Sequence, residues 1–297
     1  MNTRLKRIRQ LLFLNSLSSF GAICTFVFLL LAFLEFVTGS RLTPYNPGAP
    51  NLANANSIPS LSHPFGTDFQ GRDILSRVLS ALPVDIGLPL LIVSASAVIG
   101  IIVGTVAGYF GGLLEELIMR LTDMFLAFPA FILALAVAAT LGPSLVNAVL
   151  SLTFVWWPPY VRLVRGNVLS ITTQDYFAAS KAMNSSFGYI LAKGIVPNVL
   201  PAVLVYATMD VGTSLLSLST LGYLGIGVPP SSPELGSMVS SISYNLYTYP
   251  WEALFPALIV LLIVAGFSFL GEGIRESLDI KVRPHILIRN KVFSENS

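Results

Sequence analysis

From Leu11 through Leu34 the chain carries no charged residue. At about 1.5 Å per residue this stretch crosses a hydrocarbon core about 30 Å thick. A run of this kind has lipid for its solvent and must satisfy its backbone internally, as a helix. It is too long for the core of a signal peptide, lacks a small-residue cleavage pattern and is followed by further spans, so it is read as retained. Apolar stretches near 85–109, 121–141, 145–165, 198–227 and 253–273 bring the number of expected spans to six. With 54% hydrophobic and 11% charged residues and a mean hydropathy of +0.76, no single globular core would hide this much apolar surface. The fold class is therefore an all-α integral membrane protein.

Threading six spans alternately through a bilayer puts 39–83, 142–145 and 228–252 outside, and 110–120, 166–197 and the tail inside. Only Arg41, Arg72 and Arg77 then fall outside, and every other Lys and Arg lies at a cytoplasmic end or segment. That asymmetry predicts cytoplasmic termini, the first held by Arg4, Lys6, Arg7 and Arg9. The chain divides into an N-terminus with the first span (1–38), an extracytoplasmic segment (39–83), a core of five spans (84–275) and a cytoplasmic tail (276–297). In the second span Gly100, Gly104 and Gly108 share one helix face, which lets a neighbouring backbone come close.

Several function classes drop out. A net charge of +2 without a basic stripe excludes nucleic acid as a partner. The lone Cys24 forms no intrachain disulfide or thiolate cluster, and His63 and His285 have no second histidine at metal-ligand spacing, so no metal site is expected. The segment Gly66, Thr67, Asp68 followed by Gly71, Arg72, Asp73 lacks the acidic repeat of a calcium loop. It reads as a turn capping an amphipathic helix from Arg72 through Leu82 at the outer surface. No Gly-x-x-x-x-Gly-Lys-Ser/Thr loop is present, so the chain does not split ATP by itself. Glu116, Arg120 and Asp123 form a charge ladder on one helix face.

The connection from Gly166 to Pro197 has the grammar of two short helices. Thr172 with Asp175 forms a capping pair, Tyr176, Phe177, Ala178, Ala179, Lys181, Ala182 and Met183 continue the first helix, and Asn184 invites a stop. Ser185 or Ser186 then caps a second helix through Phe187 to Lys193. The product is a helical elbow at the membrane face.

That elbow resembles the coupling segment of binding-protein-dependent ABC importer permeases. The chain resembles the oligopeptide and dipeptide subfamily, as a C-type membrane subunit, in an ordered series of blocks spanning nearly its whole length. These run from His63 to Arg77, Gly108 to Gly112 with Glu116, Met119, Arg120, Asp123, Phe128 and Pro129, and Trp157-Pro158 with Arg162 to Gly166. They continue with Ile195 to Pro201, Leu224 to Pro230 with Gly236 to Met238, and Leu270 to Asp279. The resemblance implies a type I importer permease fold and a role as half of a translocation path. Its partners would be a homologous second permease, two ATPase subunits that bind ATP and Mg, and an extracytoplasmic substrate-binding protein, all at the plasma membrane. It implies no cofactor bound by this chain. It assigns coupling to the motor to Asp175, Tyr176, Phe177, Ala178, Ala179, Lys181, Ala182, Met183 and Asn184. Peptides are the family's commonest cargo, with oligosaccharides and nickel as alternatives.

Two departures stand out. Where the family's coupling segment reads Glu-Ala-Ala and then glycine, this chain has Ala178-Ala179-Ser180 and Asn184, so the charged contact is missing and the turn relies on asparagine. In the fifth span Leu218 replaces a common glutamate, and Asp210 stands where relatives carry glycine. An aspartate inside a span costs about 2.5–3.5 kcal/mol, so Asp210 needs water, a partner or a polar neighbour. It is either part of the solute path with Ser214 and Ser217, or a structural hydrogen bond to Thr208, Thr213 or another helix. An ion-coupled secondary transporter is the rival class, but no internal repeat supports it. An intramembrane enzyme would need a constellation that a span without histidine does not offer.

Overall fold

The computed structural model describes residues 15–39, 41–227, 232–241 and 246–278, without the side chain of Lys181. Arg4, Lys6, Arg7, Arg9, His285, the tail from 279 onward and Val228 to Pro230 lie outside them. Among the described residues there is no strand, only an isolated bridge between Thr67 and Asp73.

Helix α1 (Ser16–Thr38) is capped by Asn15, whose side chain accepts from the Leu17 amide at 3.2 Å, and ends at Gly39 with φ of 59°. An extended segment with one 3-10 turn, Leu52–Asn54, leads to α2 (Ile74–Phe110). This helix of 37 residues is about 55 Å long, well beyond one hydrocarbon thickness. The separate amphipathic helix expected over Arg72 to Leu82 does not form. Asp73 caps α2 directly by accepting from Ser76 N at 2.8 Å, and Pro83 and Pro89 are carried inside the helix. Asp85, where the apolar window begins, is wholly buried and accepts from the Leu235 amide at 3.0 Å, so its charge does not end the helix.

The third expected span is two helices, α3 (Gly112–Leu126) and α4 (Ala130–Leu141), bent by 84° at the Phe128-Pro129 step. The fourth is likewise two, α5 (Leu145–Trp156) and α6 (Pro158–Thr172), because Pro158 cannot donate to the preceding helix and begins a new one. The elbow comprises α7 (Asp175–Ala182), the turn Phe187–Tyr189 and a π-helical stretch, Ile190–Ile195. Then come α8 (Val196–Tyr223), the short α9 (Leu235–Ser241) and α10 (Trp251–Leu278). Among the described residues α1, α2, the run Phe187–Tyr223 and α10 are each long and apolar enough to cross a membrane, and the α3–α4 pair joined makes a fifth. With 12 and 15 residues, neither α5 nor α6 reaches that length alone.

Helix α2 is the axis of the bundle, with α6, α8 and α1 packed around it. A Cβ at Gly100 would meet the Tyr160 Cβ at 2.2 Å, one at Gly104 the Val161 carbonyl at 2.7 Å, and one at Gly108 the Val168 Cβ at 2.9 Å. The glycine face therefore lets α6 lie against the α2 backbone, as small-residue faces do in lipid. On the other side α10 crosses α1 and α8, and the Gly271 backbone abuts the Met209 side chain.

Candidate functional site

At one end of the bundle the Gly66 to Arg77 motif forms a clasp. Asp68 Oδ1 accepts from the amides of Gln70 and Arg72, each at 2.9 Å, and Oδ2 accepts from Arg72 Nε at 2.7 Å. Arg77 stands 3.8 Å from the same oxygen and donates to the Pro47 carbonyl at 3.1 Å. Thr67 Oγ1 donates to the Asn54 carbonyl and accepts from Ser57 N. His63 Nδ1 lies 2.9 Å from Asp73 Oδ1, so this histidine orients the α2 cap. Gly66 and Gly71 hold φ of 74° and 72°, and a Cβ at Gly71 would lie 1.8 Å from the Asn51 carbonyl. The motif thus ties residues 41–73 onto the start of α2, and its charges are spent internally. Nearby, Glu234 is buried between α8 and α9, where its carboxylate accepts from Gly236 N at 2.8 Å and Ser237 N at 2.7 Å. Burial pushes its pKa up, against the pull of those amides.

At the opposite end of α2 sits the elbow. Asn184 adopts φ of 55°, the left-handed conformation that reverses the chain, and Ser185 N donates to Ser180 O at 3.2 Å across the turn. Ser186 caps the next turn through Tyr189 N at 3.4 Å. Thr172 does not cap α7. It closes α6, its hydroxyl donating back to Leu169 O, while the Gln174 carbonyl accepts from Phe177 and Ala178. Phe177 is buried and faces Tyr109 of α2, with ring centroids 6.2 Å apart. Asp175, Tyr176, Ala178, Ala179, Ala182, Met183 and Asn184 are exposed, so beyond Asp175 in its first turn α7 turns mainly apolar side chains outward.

The charge ladder resolves differently from its sequence spacing. Arg120 pairs with Glu116, but Asp123 pairs with Arg162 and Glu115 with Arg165, binding α3 to α6. A helix-surface count along one chain does not see these partners, because they come from another element.

Midway along α8, Asp210 reaches the α5–α6 junction. Its Oδ2 accepts from Trp156 Nε1 and from the Tyr160 hydroxyl, each at 2.8 Å. The partners are thus on two neighbouring helices, Trp156 on α5 and Tyr160 on α6, not Thr208 or Thr213, whose own roles are local: Thr208 donates to Leu204 O, and the Thr213 carbonyl accepts from Ser217 Oγ. Asp210 is only partly buried, and it shares a face of α8 with Tyr206, Thr213, Ser217 and Thr220, none of them fully covered by the chain's own helices. Ser214, one turn after Asp210 at the edge of this face, is fully buried by the chain's own helices. Where the stripe ends, a groove of about 460 Å³ opens between α8, α9 and α10, lined by Thr220, Tyr223, Leu235, Gly236, Val239 and Val260. Sequence spacing missed Trp156 and Tyr160; the Trp157-Pro158 break beside them was the available signal.

A bundle of apolar helices around a glycine-faced axis, with an exposed elbow at one end and a half-open polar stripe within, defines a membrane permease. Residues 100–284 match the family described as binding-protein-dependent transport system inner membrane component, and the chain belongs to that family as a multi-pass membrane protein. It is 37% identical to the dipeptide transport system permease protein DppC of Alkalihalophilus pseudofirmus, over 91% of this chain and 87% of that one. To the probable D,D-dipeptide permease DdpC of Escherichia coli K12 it is 37% identical over 86% of each. To the glutathione permease GsiD of Escherichia coli O6:K15:H31 it is 36% identical, over 86% of this chain and 85% of that one. Its fold is similar to that of the MetNI methionine ABC transporter in inward-facing form, with a TM-score of 0.51 and 20% identity, over 67% of this chain and 97% of that one.

Proposed function

We propose that this chain is one half of the membrane pathway of an ATP-driven importer of peptides. The observation that carries this reading is the α8 face of Tyr206, Asp210, Thr213, Ser217 and Thr220, which the chain's own helices leave partly open. Lipid does not solvate a carboxylate, so that face requires water or a second chain. A homologous permease across it encloses a wet path. Six crossings follow if α3–α4 and α5–α6 each span once, with both termini cytoplasmic and residues 41–73 outside, in line with the Lys and Arg asymmetry.

The chain has no phosphate-binding loop in its sequence, so ATP and Mg are held by two separate ATPase subunits. Closure of those subunits pushes on Tyr176, Ala179 and Met183 of the elbow, and Phe177 passes the displacement to α2. A substrate-binding protein delivers solute to the clasp side. The names of the relatives, for dipeptide and glutathione transport, support peptide cargo.

The test uses the assembled transporter in vesicles with Cys24→Ser as background and single cysteines at Thr213 or Ser217. A membrane-impermeant thiol reagent is expected to label both, and peptide with ATP is expected to change the rate. Labelling absent in every nucleotide state would remove α8 from the path.

A further inference from the structure

We propose that Asp210, together with Tyr206 and Tyr160, is an ammonium-recognition site on that path, which receives a protonated amine of the solute. The inference rests on the pathway reading and adds the chemical class of the group recognised.

The carboxylate is presented asymmetrically. Both protein donors, Trp156 Nε1 and the Tyr160 hydroxyl, converge on Oδ2 at 2.8 Å. Among the described residues Oδ1 accepts no hydrogen bond and is not sealed from its surroundings. None of the ion pairs among those residues includes Asp210. Two neutral donors fix the orientation of the group but leave its negative charge unmatched, an expensive state inside a spanning helix that a cation or a proton relieves.

The walls select which cation. Tyr206, one turn before Asp210, is 37% exposed, and its ring meets that of Tyr160 edge-on with centroids 5.0 Å apart. An aromatic face beside a carboxylate oxygen stabilises an alkylammonium by hydrogen bond and by the ring quadrupole together. A hard divalent ion would need about six oxygen ligands. No cluster of three or more metal-ligating side chains occurs among the described residues. The amine has two sources, the α-ammonium of a peptide or a lysine-type side chain.

The experiment compares wild type with Asp210→Asn, which keeps an oxygen for Trp156 and Tyr160 and removes the charge. Uptake into vesicles by the complete transporter is measured for four matched peptides: free or N-acetylated amino terminus, each with and without one lysine. The delivering protein is the same in both variants, so its own preference cancels. The proposal expects Asp210→Asn to lose on the order of tenfold or more in uptake of amine-bearing peptides, with the acetylated lysine-free peptide unchanged. The acetylated lysine peptide separates the two amine sources. Equal loss for all four peptides, or no loss for any, overturns it. So does reduced assembly with the second permease at unchanged peptide preference, which would mean that a partner's cation answers Asp210. Labelling of Ser217→Cys reports on the path independently. A labelled Ser217→Cys with an indifferent Asp210→Asn rejects ammonium recognition alone.

Discussion

The ring of Phe187, in the turn after α7, lies 4.7 Å from that of Tyr109 at the far end of α2, with interplanar angle 58°. Phe110 closes on the same ring at 5.3 Å, so the elbow grips the end of the axial helix with aromatic side chains. Such pairs contribute about 0.5–1.5 kcal/mol each beyond their buried area. Phe187→Ala is expected to leave the protein folded and the assembled ATPase active while uptake per ATP falls several-fold. Phe187→Leu should recover part of it. Equal uptake per ATP in all three proteins would dismiss the grip as a coupling contact.

The turn at Asn184 predicts an ordered series. Its φ of 55° suits glycine and asparagine and opposes a β-branched side chain, at a cost of about 1–2 kcal/mol. Asn184→Gly should match wild type in limited proteolysis of the elbow, whereas Asn184→Val should be cut faster there. Indistinguishable cleavage of the two variants would contradict the turn.

The clasp around Asp68 predicts a larger effect. Asp68→Ala strands the buried Arg72 and Arg77 guanidinium groups, a loss of about 3–5 kcal/mol for a broken buried pair. The variant should show segment 41–73 opened to protease added on that side, and a lower melting temperature in detergent. A melting curve superimposable on wild type would mean that the clasp holds nothing.

Glu234 supplies a pH dependence. Its folded pKa lies above the ordinary glutamate value, so the folded chain holds a proton that the unfolded chain has already released. Its contribution is complete below about pH 4, the ordinary range, and is lost as pH rises through the raised value. Melting temperature should therefore decline across that window in wild type, and Glu234→Gln, which leaves the neighbouring Asp85 carboxyl in place, should flatten part of the decline. A steeper decline in the variant would reverse the sign and reject the assignment.

Much of the architecture was legible because lipid leaves few choices. The apolar runs marked α1, α2, α8 and α10, and the spacing of Gly100, Gly104 and Gly108 identified the face that meets α6. Hydropathy did not reveal the bends. Windows across 121–141 and 145–165 average over Pro129 and Pro158, each of which divides a run into two helices. The elbow's turn was readable from Asn184, since its preference is local, but the end of α6 was not, because Thr172 has equally good uses as a cap and as a back-bonded helix terminus. Asp210 could be singled out by its cost in a span. Its partners, Trp156 and Tyr160, lie about fifty positions earlier, and only the Trp157-Pro158 break beside them hinted at a contact there.

One rod joins what the two membrane faces do. Asp73 at the head of α2 is fastened to His63 and Ser76, and Tyr109 at its foot is held by Phe177 and Phe187. Between them the backbone is a single unbroken helix of 37 residues. A tilt of about ten degrees applied at Tyr109 therefore swings Asp73 by roughly 10 Å over that length. On the proposed coupling, motion at the foot would reach the clasp through the helix backbone itself, which continues past Pro83 and Pro89 without ending.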